Sequence, residues 1–187
     1  NWHGNFGEYA FLTRLRAEQL RDIGPVLAPH SAWLLAQGVE TLPFRMQAHV
    51  DNARAVAEYL AADPRVEFVN WAGLPQHPHH ERARKYLPKG PGAVFSFGVK
   101  GSAARDSRAV GQAFIENVEL ASHLANIGDA KTLVIHPAST THAQLTEQQL
   151  LDAGVLPGLV RISVGIEDPD DIIYDLDRAL SRAVKGE

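Results

Sequence analysis

The chain predicts an α/β fold, and three observations carry the prediction. Helical periodicity dominates residues 1 to about 62. From about residue 66 short β-rich runs alternate with helical ones. The stretch Gly158-Leu-Val-Arg-Ile-Ser-Val-Gly-Ile-Glu-Asp168 then reads as a strand, with the β-branched Val160, Ile162, Val164 and Ile166 on one face, as a sheet packed on helices needs. Its other face carries Leu159, Arg161 and Ser163, so something polar must lie against it.

Each element has its own signal. From Gly7 to Leu20, Phe11, Leu12, Leu15 and Leu20 recur at helical spacing, and Gly24-Pro25 supplies a stop. Pro29 to Gln37 is a short apolar helix closed by Gly38. Leu42 to Ala62 is a long helix with Met46, Val50, Ala53, Ala57 and Leu60 as its stripe and Arg45, Gln47, Asn52 and Glu58 off it. Asp63-Pro64 ends that helix, because a residue before proline is pushed from the α region. Val66–Asn70 alternates as a strand, Gly73–His80 is a Pro/His loop and His80–Tyr86 is helical. Lys89–Gly92 turns into the strand Ala93–Val99. A helix over Ala103–Asn117 leads through a linking segment to the strand Thr132–His136, and Thr146–Ala153 is a brief helix. The last helix has Asp168 as N-cap, Pro169 at its first position, and an apolar stripe of Ile172, Leu176, Leu180 and Ala183. Arg178, Arg182 and Lys185 complement its negative end.

The bulk numbers bound the function. A hydrophobic content of 45% with 21% charged residues is ordinary for a globular chain of 187 residues. A net charge of −4 and a pI near 6.1 argue against a nucleic-acid partner. No apolar run approaches the ~20 residues of a membrane span. The sequence has no cysteine, which fits a reducing cytoplasm. It opens on Asn1-Trp-His-Gly-Asn-Phe-Gly7, with neither an initiator methionine nor a signal-peptide pattern, and reads as the later part of something longer.

Three motifs invite chemistry. His77-Pro-His79-His80 suggests a metal, but its proline disturbs helical ligand spacing and no cysteine assists, so a solvated loop is the simpler reading. The segment from Ala125 to His142 gathers Asn126, Asp129, Lys131, Thr132, His136, Ser139, Thr140, Thr141 and His142 around the apolar Leu133–Ile135. Short amide and hydroxyl groups at a strand end suit a small polar ligand, and equally suit a loop of caps and turns. Arg161 is either a surface arginine on an edge strand paired with a nearby acid, or a carboxylate clamp held by Ser163. Periodicity leaves both open.

Asn126-Ile-Gly-Asp-Ala-Lys-Thr-Leu-Val-Ile-His-Pro-Ala-Ser-Thr-Thr-His142, taken with Leu159-Val-Arg-Ile-Ser-Val-Gly-Ile-Glu-Asp168, closely resembles the C-terminal part of the Cys/Met-metabolism family of pyridoxal-phosphate enzymes. Gly38–Asn52 and Tyr86–Gly98 resemble it too. The resemblance implies fold type I, with residues 1–48 as the tail of the cofactor-binding large domain. Residues 49–187 would form a small α+β domain whose antiparallel-rich sheet is covered by helices. It implies a substrate site of Arg161, Asn126 and Thr141, with Arg161 on the α-carboxylate of an amino acid. It implies pyridoxal 5'-phosphate as cofactor, bound mainly by an upstream segment that holds the Schiff-base lysine. None of Lys85, Lys89, Lys100, Lys131 or Lys185 has the setting of that lysine, so no catalytic residue is assigned within the chain.

Asn-Ile-Gly-Asp-Ala-Lys is more like the sulfhydrylase branch, which implies γ-replacement of acetate in O-acetylhomoserine by sulfide or methanethiol, giving homocysteine or methionine. The alternatives are a cystathionine γ-synthase or methionine γ-lyase on the same scaffold, and a non-catalytic module without the cofactor half. Expected partners are the amino-acid substrate, the protein's own N-terminal segment and further copies in a homotetramer.

Overall fold

Helix-forming residues run from the first turn of the chain, where the Asn1 side chain accepts from the Gly4 N–H and starts α1 (Trp2–Phe6). The computed structural model describes residues 1–186 and divides into two compact units, Asn1–Leu42 and Pro43–Glu187. In the first unit a 3₁₀ turn follows α1, then α2 (Ala10–Arg14), a π-helical stretch (Leu15–Leu20) and α3 (Arg21–Ile23). The helical region thus starts earlier than expected and is broken, but it ends as expected, on Gly24 with φ +66°. Helix α4 (Pro29–Glu40) runs through Gly38 instead of closing on it. A glycine inside a helix costs only about 1 kcal/mol, too little to end one. No residue of α1–α4 is buried, and Phe11 and Trp33 are 75% and 56% exposed.

The second unit is built on a sheet of five strands: β1 (Val66–Asn70), β2 (Val94–Val99), β3 (Ser122–His123), β4 (Leu133–Ile135) and β5 (Leu159–Ser163). Their order is β1-β2-β5-β4-β3, antiparallel throughout except for the parallel pair of β3 and β4. The sheet is therefore antiparallel-rich, as expected. The short β3 lies in what read as a linking segment; two residues of pairing leave no periodicity to detect.

One face of the sheet is apolar. Phe95, Phe97, Val134, Val160, Ile162 and Val164 are buried on it, sharing a core with α5 (Leu42–Ala62), α7 (Ser107–Asn117) and α9 (Pro169–Lys185). Phe97 meets Phe114 of α7 edge-on at 5.7 Å. The expected stripe of α9 is fully buried, each Ile or Leu contributing about 1.5–3 kcal/mol. Two short α-helices and a 3₁₀ turn (Pro137–Ser139) also belong to the unit. α6 (His80–Tyr86) follows the Pro/His loop, and α8 (Glu147–Asp152) is started by a capping box of Thr146 and Gln149.

Two expectations fail at the end of β5 and in α5. Ile166 is exposed, because the strand stops at Ser163 and the chain turns at Gly165 before parity can carry it inward. Asn52, expected off the apolar stripe, is buried, whereas Met46 on the stripe is exposed. Tertiary hydrogen bonds draw Asn52 inward. Among the described residues no helix is long and apolar enough to cross a membrane.

Candidate functional site

Strand β5 occupies the middle of the sheet, so Arg161 does not lie on an edge. It faces Ser96 of β2 on one side and Ile135 of β4 on the other. Backbone pairing on both flanks fixes where its side chain leaves the sheet, on the face opposite the helix-packed core. One guanidinium N–H donates to the backbone carbonyl of Asn126 at 3.3 Å. No carboxylate among the described residues forms an ion pair with Arg161, so the acid partner required by the surface reading is not there. A half-buried guanidinium held on one edge by a carbonyl keeps a planar fork for an external anion.

Ser163 was expected to hold this arginine. Its hydroxyl is instead buried without a hydrogen-bond partner among the described residues, and Asn126 does the holding. Asn126 is exposed, and its side-chain oxygen accepts from the Ile127 N–H at 2.9 Å, a local contact at the start of the loop. Thr141 is exposed and bonds its neighbour, with Oγ1 at 2.9 Å from His142 Nδ1. The structure therefore joins Arg161 to Asn126, and gives Thr141 no hydrogen bond to either among the described residues. The other candidates nearby are structural. The buried His136 donates from Nε2 to the Pro157 carbonyl at 2.7 Å and receives the Ser139 hydroxyl at Nδ1, 2.9 Å away. Burial lowers its pKa. The His77 and His80 rings are likewise engaged locally, with Asn70 and with the Ala72 carbonyl.

The loop that carries Asn126 is fastened at its far end. Glu167 accepts the Thr132 N–H at 2.7 Å and the Thr132 hydroxyl group at 2.9 Å, and the Gly165 N–H donates to that hydroxyl at 2.9 Å. A Cβ on Gly165 would lie 2.2 Å from Glu167 Oε2 and 2.4 Å from the Ala130 carbonyl, so only glycine lets these strands of chain approach. Behind the turn stand His49 and Asn52 of α5, both buried and both bonded to its carbonyls. The sequence reading passed over this pair. Its one local signal was a histidine and an asparagine one helical turn apart, which is too common to single out.

The fold and this site define a mixed α/β chain with an arginine fork directed from the central strand of its sheet. The chain belongs to the Cys/Met metabolism PLP-dependent enzyme family, whose model matches residues 8–181. It is 48% identical over 176 residues to O-acetyl-L-homoserine sulfhydrylase 1 of Thermus thermophilus, covering 94% of this chain and 41% of that protein. It is also 48% identical over 187 residues to a homocysteine/cysteine synthase of Kluyveromyces lactis, covering 97% of this chain and 42% of that one. The crystal structure described as an O-acetylhomoserine (thiol)-lyase from Campylobacter jejuni superposes with a TM-score of 0.80 at 37% identity, covering 95% of this chain and 41% of that chain. That structure carries a pyridoxyl-lysine phosphate, outside the part this chain matches. The chain spans about two fifths of the length of the curated relatives it matches.

The Arg161 guanidinium, paired with no acid among the described residues, and the exposed Asn126 whose carbonyl it meets fit the acid group of an amino acid. They suit the substrate side of a pyridoxal-phosphate site and not the anchoring of the cofactor itself.

Proposed function

We propose that this chain is the substrate-recognising, C-terminal portion of a pyridoxal 5'-phosphate-dependent O-acetylhomoserine sulfhydrylase. The enzyme would replace the acetate of O-acetylhomoserine by sulfide or methanethiol, giving homocysteine or methionine. Arg161 takes the α-carboxylate through two parallel N–H groups, the Asn126 amide supports the same carboxylate, and Thr141 borders the substrate. The cofactor, when bound, supplies an electron sink for charge developing on substrate carbon. The clamp's part is orientation: it fixes the α-carbon so that the reacting bond lies correctly, and a misplacement of ~1 Å can cost around a hundredfold in rate.

One observation carries this reading: Arg161 projects from the central strand, tied to a carbonyl and, among the described residues, to no acid. Similarity of 45–49% to several sulfhydrylases and homocysteine synthases supports the branch. In this reading residues 1–48 are the tail of the large domain and 49–187 the small domain. The exposed apolar residues of the first unit support packing against the protein's own N-terminal segment. A homotetramer in the cytoplasm completes the reading; the family resemblance implies the assembly, and a cysteine-free chain favours the compartment.

The test is kinetic. In the full-length enzyme Arg161→Ala removes two charge-assisted hydrogen bonds, so KM for O-acetylhomoserine rises about 100-fold while cofactor absorbance stays intact. Arg161→Lys recovers only part of this, because the fork is lost. An unchanged KM removes the clamp. Assays with cystathionine and methionine in place of O-acetylhomoserine plus sulfide separate the sister activities.

A further inference from the structure

Arg161 can orient a substrate only if the end of its strand is itself held, and the structure shows what holds it. Three residues beyond Arg161 the backbone turns through Val164, Gly165 and Glu167, whose carbonyls point away from the sheet ladder and into α5. His49 Nδ1 lies 2.7 Å from the Val164 carbonyl, which can only accept, so this nitrogen carries the proton. Asn52, one helical turn on, donates from Nδ2 to the Gly165 carbonyl at 3.1 Å and to the Glu167 carbonyl at 2.7 Å. His49 is 1% exposed and Asn52 9%, and Val164 and Gly165 are buried too, so the carbonyls of these two residues have no water as a ready substitute.

The same turn is bound from its other side by the segment that ends the Asn126 loop. The Ile166 N–H donates to the Ala130 carbonyl at 2.9 Å, and Thr132 exchanges hydrogen bonds with Gly165 and Glu167. A closed circuit results. It runs from Arg161 to the Asn126 carbonyl, along the loop to Thr132, across to the turn at 164–167, and back along β5 to Arg161. His49 and Asn52 brace that circuit from outside it, through the turn and not through the ligand.

We infer that His49 and Asn52 are positioning residues for the carboxylate clamp: by pinning the carbonyls of Val164, Gly165 and Glu167 they set the distance between the Arg161 fork and Asn126. The inference rests on the reading of Arg161 as the substrate clamp. Removing either side chain strands a buried carbonyl, Val164's for His49 and Gly165's for Asn52, and the turn shifts to satisfy it. The shift is passed to Arg161 along a strand that is paired on both flanks. Loss of the carboxylate grip follows, with the cofactor left in place.

The experiment uses the full-length enzyme and two probes that differ by one group, L-homoserine and its decarboxylated counterpart 3-aminopropan-1-ol, each tested as a competitive inhibitor. His49→Ala and Asn52→Ala should raise KM for O-acetylhomoserine about 10- to 100-fold and shrink the preference for L-homoserine by a similar factor. Cofactor absorbance and KM for sulfide stay unchanged. His49→Asn places an N–H close to the position of Nδ1 and should restore most of the preference, which a merely structural role would not predict. If the alanine variants do not fold, Asn52→Ser serves instead: it packs, but is too short to span two carbonyls, and should show the same loss in milder form.

Arg161→Ala is the reference. If it abolishes the preference for the carboxylate while the His49 and Asn52 variants keep it, the positioning role is overturned and the clamp stands. If Arg161→Ala itself keeps the preference, the clamp reading falls, and the positioning role with it.

Discussion

Glu167 grips Thr132 twice, with one carboxylate oxygen on the backbone N–H at 2.7 Å and the other on the side-chain hydroxyl at 2.9 Å. Thr132 is fully buried, so no solvent replaces the carboxylate when it is removed. Glu167→Ala should therefore cost about 2–4 kcal/mol in urea unfolding, as expected when a charge-assisted pair is cut and a buried N–H is left bare. Glu167→Gln keeps one good acceptor and should cost less than half as much. Equal losses would show that a neutral amide oxygen cannot stand in for the carboxylate at Thr132.

Asp175 does for the 119–121 segment what a cap does for a helix. Its carboxylate takes the N–H groups of Glu119, Leu120 and Ala121 at 2.8–3.0 Å, and Arg178 closes the group at 2.8 Å. Asp175→Ala orphans three donors around a buried position and is expected to cost about 3–5 kcal/mol. Hydrogen exchange is the sharper readout. Protection should be lost at residues 119–121, while the Glu167 variant leaves it in place there.

Gly111 of α7 lies against the ring of His136. A Cβ at this position would stand 2.8 Å from both Cδ2 and Nε2 of a ring pinned at both nitrogens. Gly111→Ala should thus destabilise by about 1–3 kcal/mol despite its better helix propensity. A gain in thermal midpoint would mean that the ring yields freely.

The same histidine predicts a pH dependence. Burial lowers its pKa in the folded state below the ordinary 6.5, so the unfolded chain takes up the proton first. Its contribution to stability is therefore whole above pH 6.5 and is lost as the pH falls through the lowered folded value. Unfolding free energy should decline between pH 7.5 and pH 5.5. The decline should be smaller in His136→Gln, which has no ring to protonate. Parallel pH profiles for the two proteins would count against the assignment.

Several features of this chain were determined by residues close together in sequence. Asp168 and Pro169 start α9, Thr146 and Gln149 build the capping box of α8, and Gly24 ends α3 in the left-handed region. The alternation of Val160, Ile162 and Val164 with Arg161 and Ser163 marked the buried face of β5, and all three apolar residues are inaccessible. Each signal is local: a side chain meets a backbone group within about one turn, or a parity of two sorts the faces. Arg161 and Asn126 as a pair were legible only through the motifs that surround them, because the contact joins residues 35 positions apart.

The tertiary structure alone decided the rest. It put β5 at the centre of the sheet, which turned Arg161 from a possible rim residue into a fixed fork. It also paired Ser122–His123 with β4, ended β5 early enough to expose Ile166, and buried His49 and Asn52. These outcomes depend on which distant segments hydrogen-bond to which. The carbonyls at 164–167 meet donors more than 110 residues earlier in the chain, and a polar residue on a helix is driven inward only where such unpaired carbonyls await it.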